Sequence, residues 1–352
     1  WRTVRGEYVG SDGVAVTADL EIADRQLSRL SLTARSAGAG DAGEERLAPV
    51  VAALTGLAAD VDVRTMTGII EKVWPGSAGG LATSIAIAVR RAARGTTSWG
   101  DLTFDVIGPV NLPVATHVAL DQVIADDVRA GRRNPTFRIW EWDDPAVVIG
   151  SFQSVRNEVD PDNAAKYGFG VVRRISGGGA MFMPPGTCIT YSLTVPGSLT
   201  EGLSFEQSYA FLDAWVLDAL AAVGVRARYL PLNDIASDKG KIGGAAQRRF
   251  VDGTVLHHVT SAYAMDMGLL AQVLRLGREP ISKKGTASAN KWVDPMCSQT
   301  TMSRDQVMAS FLASFTSRYR CVEAGYSDDQ LGRAAELVRT KFAADEWTYR
   351  VP

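Results

Sequence analysis

RRISGGGAMFMPPGT, residues 173–187, is the stretch on which the reading of the fold turns. Two arginines lead into Ser176 and three consecutive glycines, Gly177, Gly178 and Gly179. A glycine triplet weakens a strand and adds nothing to a core. It does let backbone N–H groups approach a ligand closely, and consecutive N–H groups form an anion nest. Arg173 and Arg174 alternate on a strand, so one faces each side and one can reach a phosphate held at the glycine turn. On spacing alone a hairpin loop with two solvated arginines is the competing reading. The stretch is neither a P-loop nor a dinucleotide fingerprint, because no Gly-Lys-Ser/Thr follows and no G-x-G-x-x-G opens a helix.

A second unusual stretch is NDIASDKGKIGGAAQRR, residues 233–249. Lys241 starts a strand directly after an Asp-Lys-Gly turn, and Gly243 and Gly244 follow where a strand prefers β-branched residues. Small residues there suggest a ligand or another backbone lying close. A lysine in such a slot is a fixed cation, suited to a carboxylate meeting a phosphate; a surface lysine on a hairpin is the plainer reading. Lys239, in the turn itself, is expected in solvent. Asn233 and Asp234 are expected either to hold Mg²⁺ or to cap a turn.

His257 and His258, within VLHHVTSAY (255–263), are adjacent on a strand and face opposite sides. They cannot both serve one site, and without a nearby Cys or Ser to act as nucleophile a histidine-based triad has little support. Cys188, in TCITYSLTV, reads as a buried strand thiol rather than a nucleophile. Trp140 and Trp142 read as core, or as the wall of an apolar pocket.

The rest of the 352 residues is ordinary for a globular chain: 37 basic against 39 acidic residues, net charge −2, and 46% hydrophobic residues. Such a balance excludes a disordered chain and argues against nucleic-acid binding through a broad basic field. No stretch approaches the ~20 uninterrupted apolar residues of a membrane span. WRTVRGEYVG has no signal-like apolar core, so a cytoplasmic protein is expected, with a trimmed start because the chain opens on Trp1. Three scattered cysteines suit a reducing compartment, and three histidines offer no metal cluster. Eight of the basic residues are lysines, which makes each one easier to weigh.

Along the chain, Val14, Val16, Ala18, Leu20 and Ile22 alternate as a half-buried strand, with a partner over Leu27, Leu30 and Leu32. A loop is expected from Ala37 to Gly43, then a helix over Leu47–Leu54 stopped near Gly56, then a helix carrying Leu81, Ile85 and Val89. Arg90, Arg91 and Arg94 suit that helix's C-terminal dipole, and residues 95–101 read as a linker. Beyond it come an amphipathic helix over Leu120–Val128 and strand-like runs at FRIW, AVVIGSF, GFGVVRRI and TCITYSLTV. Ser204/Gln207, Ser303/Gln306 and Ser327/Gln330 are capping boxes opening helices. Turns at 238–240 and 252–253 imply a meander. The expectation is a small α+β unit over 1–100 and a larger mixed α/β unit over 101–352, with hairpins rather than strict βαβ alternation.

AVVIGSFQ, RRISGGGAMF, NDIASDKGKIGGAAQRR, TVLHHVTSAY, KKGTAS (283–288) and DEWTYR (345–350), in that order, resemble the lipoate–protein ligase A family of the biotin/lipoate ligase superfamily. The resemblance covers nearly all of 110–350. It implies an α/β (α+β) fold: a mixed-sheet catalytic domain at 101–352, with residues 1–100 similar to the family's small accessory domain, here placed first as in a circular permutation. The implied activity has two steps: ATP and lipoate give lipoyl-adenylate and pyrophosphate, and the acyl group then passes to a lysine of a lipoyl domain. Lys241 matches the lysine that contacts the lipoyl carboxyl and the α-phosphate. Arg174 matches an ATP-binding arginine. Gly179, Ala180, Met181 and Phe182 match the segment holding the nucleotide, with Gly177 and Gly178 in the same loop. Gln153, Ser176, Asn233 and Asp234 match further motif positions, Asp234 being the one residue suited to Mg²⁺. ATP and Mg²⁺ are the implied cofactors. Lipoate and the lipoyl domains of 2-oxoacid dehydrogenase complexes and of the glycine cleavage carrier protein are the implied partners, with no nucleic acid and no membrane.

The chain departs from the family pattern at several polar positions. Met183–Pro184 stand for His–Asp, Thr187 for Asn, Gly243–Gly244–Ala245 for Ser–Gly–Ser, Val259 for Gly, and an arginine is missing around Asn290 to Trp292. Two other readings stay open. One is ATP-independent octanoyl transfer, which uses a cysteine in some branches and finds none near 233–241. The other is a non-catalytic lipoyl-binding module. Biotin ligation fits less well, because the glycine motif lacks the extra arginines of that branch.

Overall fold

In the computed structural model the described residues are 3–10, 12–36, 40–41, 44–75, 77 and 80–352. The chain separates into two compact units: Trp1–Leu102 with Gly197–Asp218 and Arg228–Leu232, and Thr103–Pro196 with Ala219–Ala227 and Asn233–Pro352. The expected break at 100/101 lies close to the edge at Leu102, but two later stretches expected in the larger unit belong to the first.

In the first unit, β1 (Thr3–Val9), β2 (Val14–Ala23), β3 (Gln26–Ser36) and β4 (Gly40–Asp41) form an antiparallel sheet in that order. Val16, Ala18 and Leu20 alternate into its core, as their spacing implies. Of the loop expected over 37–43, Gly40 and Asp41 are strand, and the rest lies outside the described residues. Helices run over Glu44–Leu54, Val63–Val73 and Leu81–Arg94. The middle one and strand β1 are not foreseen, although Asp62 caps that helix through the Thr65 N–H and Met66 and Ile70 bury one face. β1 crosses the last helix at Gly6, where a Cβ would sit 2.1 Å from Ala88 O. Arg91 is not a surface charge at a helix end. It is buried and donates to the carbonyls of Glu7, Leu199 and Glu201, and burial pushes its pKa down to about 10. The stretch expected as a linker is also packed: Trp99 is buried, its ring 5.5 Å from that of Phe211.

The second unit is built on a mixed sheet. β5 (Thr103–Ile107) runs parallel to β7 (Thr136–Trp142), which also takes the short β6 (Asn111–Leu112) in parallel. β8 (Ala146–Ile149), β9 (Gly170–Arg173) and β10 (Met181–Met183) make a separate three-stranded sheet, with β8 central. β11 (Cys188–Val195) pairs with β7. After β12 (Arg228–Leu230), part of the first unit, come β13 (Asp234–Ala236), β14 (Lys241–Arg249) and β15 (Val255–Ala262), the expected antiparallel meander, which joins β11 through β15. β16 (Arg320–Ala324) completes the far edge, parallel to β5. All three capping boxes form.

The AVVI run of β8 is apolar throughout because both its faces are buried. Ala146 and Val148 pack with Trp140, Trp142, Met183 and the helix Val114–Arg129, while Val147 and Ile149 pack with Phe169, Phe182, Leu270 and Val273. The strands of this sheet flank the two loops that bear on the site, 150–154 and 174–180. Among the described residues, no helix is long and apolar enough to cross a membrane.

Candidate active site

Lys241 opens β14 opposite β13, with Ala236 as its partner and a bulge between Ile235 and Ala236. Its ammonium lies 2.8 Å from Asp234 Oδ1. The paired glycines have local causes. A Cβ at Gly244 would sit 2.6 Å from Lys241 Nζ, and one at Gly243 would sit 2.6 Å from Ser261 Oγ. Glycine at 244 thus leaves room for the lysine's own head group. Asn233 donates to Ala245 O at 2.6 Å and fixes the entry to β13.

The other oxygen of Asp234 is taken by Lys291, so one carboxylate, 5% exposed, is bracketed by two ammonium groups. Burial pushes this carboxyl upward, but Lys241 and Lys291 outweigh it and hold it below its ordinary value. With both oxygens engaged, Asp234 does not fit the part of a magnesium ligand. Among the described residues no cluster of three His, Cys, Asp or Glu side chains is placed to hold a metal ion.

The glycine loop faces the same cavity. Arg173 and Arg174 do face opposite ways. Arg174 donates to the carbonyls of Val148 (3.0 Å), Gly177 (2.5 Å) and Gly179 (2.8 Å) and to Ser176 Oγ (3.1 Å), and so shapes the loop from within. Arg173 turns away and donates to the carbonyls of Gly150, Gln153, Trp347 and Thr348. Gly178 takes a φ of +87°, and Gly150 lies so close that a Cβ there would be 2.1 Å from Gly178 O. Ser288 locks the loop's far end: its Oγ accepts from Ala180 N–H (2.7 Å) and from Gln153 Nε2 (2.9 Å), while Gln153 Oε1 accepts from Gly150 N–H. The amide N–H groups of Gly177, Gly178 and Gly179 form no hydrogen bond with any described residue.

The cavity wall includes Arg174, Gly179, Ala180, Met181, Phe182, Asn233 and Lys241 of the expected set. Ser176, Gly177, Gly178, Gln153 and Asp234 stand behind it and hold those groups in place. The wall carries both kinds of group: Lys241, Lys291 and His258 are polar, while Met265, Leu270, Leu274 and Leu276 are apolar and belong to one hydrophobic cluster.

Two parts of the site are invisible in local sequence. The first is Lys291, eight residues past the start of KKGTAS. The second is His258, expected to lack a nearby serine. It has one: Ser176 Oγ lies 2.5 Å from its Nε2, and Asp121 Oδ2 lies 2.9 Å from its Nδ1. The spacing of 82 residues hides the pair. Asp121 also accepts from Arg138 at 3.0 Å. Burial outweighs Asp121 and holds the imidazole below the ordinary histidine value, hence neutral. Cys188 is on the wall but buried, and burial pushes its thiol up to about 11. Trp140 and Trp142 are core.

A model of the lipoyl protein ligase A/B catalytic domain matches residues 113–316, more than half of the chain. The octanoyltransferase LipM of Brevibacillus brevis is 26% identical over 270 residues, 67% of this chain and 95% of that protein. LipM of Geobacillus kaustophilus is 25% identical over 272 residues, 68% of this chain and 95% of that protein. Two solved structures share the fold at a TM-score of 0.59. The bi-partite lipoate protein ligase of Thermoplasma acidophilum is 22% identical and aligns over 70% of this chain and 96% of its own. A lipoate-protein ligase A bound with ATP is 23% identical and aligns over 70% and 99%. The mixed sheet, the cavity and the family match agree: this chain belongs to the lipoyl protein ligase A/B catalytic-domain family.

Proposed function

We propose that this protein is an ATP-dependent lipoate–protein ligase. The observation that supports this most is the meeting of Lys241 with the glycine loop around one cavity whose wall carries both cationic and apolar side chains. An eight-carbon acid suits such a wall: its chain has apolar side chains to pack on, and its carboxylate has ammonium groups to pair with. Carboxylate and ATP repel each other. Lys241 offsets that repulsion and stabilises the charge that gathers on the α-phosphate as it is attacked. The carboxylate oxygen bonds to the α-phosphorus, the bond to the β-phosphate oxygen breaks, and pyrophosphate leaves. An acceptor lysine, once it has lost a proton, then attacks the acyl carbon and AMP leaves. Much of the acceleration comes from holding the reactants in line. In this reading ATP is a consumed substrate, the acceptor is a lipoyl domain, and the first unit is the family's accessory domain set ahead of the catalytic one.

The LipM relatives favour a second reading, octanoyl transfer between carrier proteins without ATP. A thiol route through Cys188 is opposed by its burial and raised pKa. Incubating the full chain with an apo lipoyl domain and lipoate, with and without ATP, and weighing the domain by mass spectrometry separates the readings. The ligase reading expects lipoylation that requires ATP. Acyl transfer from an octanoyl carrier protein in the absence of ATP would establish the second reading instead.

A further inference from the structure

Residues 292–294 run beside Lys241 and pair with its backbone. Lys241 N–H donates to Trp292 O and Asp294 N–H donates to Lys241 O, both at 2.8 Å, with Val293 bridging Lys241 in parallel. The stretch 288–294 is pinned at both ends. Ser288 N–H donates to Glu158 Oε1 at 3.1 Å, and Asp294 accepts from Ser298 Oγ at 2.7 Å. Ser288, Ala289, Lys291 and Val293 are on the cavity wall, while Trp292, between the last two, is 67% exposed. The backbone pairing at 292–294 thus fixes the chain next to Lys291 beside Lys241, and Lys291 is on the cavity wall.

Its partner there is Asp234, which also holds Lys241. Two positive charges meet one negative charge, so the group carries an unspent cation on the cavity wall. The unpartnered N–H groups of Gly177–Gly179 belong to the loop bordering the same cavity. A lysine at such a place is a point charge for phosphoryl oxygens.

We propose that Lys291 is a second phosphate-binding cation of this site, and that Asp234 is an internal counter-ion keeping Lys241 and Lys291 in register until phosphoryl oxygens of a nucleoside triphosphate take Lys291 over. This rests on the ligase reading for its nucleotide but not for its anion. The test is isothermal titration of the full chain with ATP and, separately, with inorganic pyrophosphate, for the wild type, Lys291→Met, Lys291→Arg and Asp234→Asn/Lys291→Met. Lys291 is half-exposed, so methionine keeps its stem packing and the thermal midpoint reports any loss of fold. Loss of a charge-assisted hydrogen bond is expected to raise the dissociation constant for both anions about tenfold or more, with arginine restoring most of it. In turnover the KM for ATP rises and the KM for the acid does not. The double variant stays as weak as Lys291→Met. Unchanged anion binding in Lys291→Met, or tight binding regained in the double variant, would overturn the proposal, the latter because Lys291 would then only neutralise Asp234. A wild type that binds pyrophosphate through Lys291 but not ATP would leave this inference standing and remove the ligase reading. A wild type that binds neither removes both.

Discussion

Ser176 Oγ lies 2.5 Å from His258 Nε2, and the far side of the same ring lies 2.9 Å from Asp121. Ionised Asp121 only accepts, so Nδ1 carries the ring proton and Nε2 accepts from the Ser176 hydroxyl. The line ties the glycine loop to the central strand β15 and to the helix Val114–Arg129. Ser176 is buried and off the cavity wall, so the arrangement braces the loop rather than supplying a nucleophile. His258→Ala leaves the Ser176 hydroxyl and one Asp121 oxygen without their partner. The expected loss is about 2–3 kcal/mol of stability by denaturant titration, with a raised KM for ATP as the loop loosens.

Acid should destabilise the protein, and two buried histidines should account for part of it. Burial, with Arg138 nearby, pushes His117 down to about 3, and burial also holds His258 below its ordinary 6.5. Below pH 6.5 the unfolded chain binds protons that the folded chain does not, so stability falls as pH falls, from about 6.5 toward 3 for His117. His117 Nε2 needs only to donate to Glu141 O, which glutamine can do. His117→Gln is expected to flatten the fall of the thermal midpoint between pH 6.5 and 4; an unchanged slope would refute the assignment.

Arg173 is fully buried and satisfied by backbone carbonyls from the 150–153 loop and the C-terminal 347–348 turn. Burial, together with Arg350, pushes its pKa down to about 10. Arg173→Met should destabilise by about 3 kcal/mol or more, and Arg173→Lys should not rescue it, because an ammonium cannot reproduce the planar fork. Urea titration measures both.

Gly244→Ala separates stability from activity. The new Cβ meets only the flexible head of Lys241, so the fold should lose less than about 1 kcal/mol. The ammonium must move off Asp234, and kcat should fall at least about tenfold. Gly150→Ala meets backbone at Gly178 and should damage both together.

Cys188→Ala should keep most of the ATP-dependent activity, and peptide mapping after thiol labelling at pH 7 should find the exposed Cys297 modified and Cys188, whose thiol near 11 is protonated, spared. Loss of all acyl transfer in Cys188→Ala would favour a thioester route.

Much of the fold was legible because its signals are local. Three Ser-x-x-Gln boxes each open a helix, and the all-apolar AVVI run is a strand buried on both faces. The helix Val63–Val73 was missed because VRTMTGIIEKV mixes β-branched residues with an internal glycine, and its burial rests on Met66 and Ile70. Of the site, Lys241 and the glycine loop were legible because glycines where a strand wants bulk demand an explanation. At Gly243 the close neighbour is the adjoining strand, Ser261 Oγ with the Thr260 carbonyl 3.0 Å from a would-be Cβ, which is the backbone approach that small residues there imply; at Gly244 it is the Lys241 head group, which the sequence does not show. Lys291, His258 and Asp121 were not legible, since side-chain contacts across long sequence separations bring them together. The polar losses at Met183 and Pro184 fall where Met183 is buried against Trp140 and Trp142.

The central claim is that Lys241 activates a carboxylic acid against ATP. Isotope exchange between pyrophosphate and ATP, measured on the full chain with and without lipoate, tests it most directly. The account expects exchange only when the acid is present, reduced at least about a hundredfold in Lys241→Met while the thermal midpoint is retained. No acid-dependent exchange in the wild type, or full exchange in Lys241→Met, would contradict it.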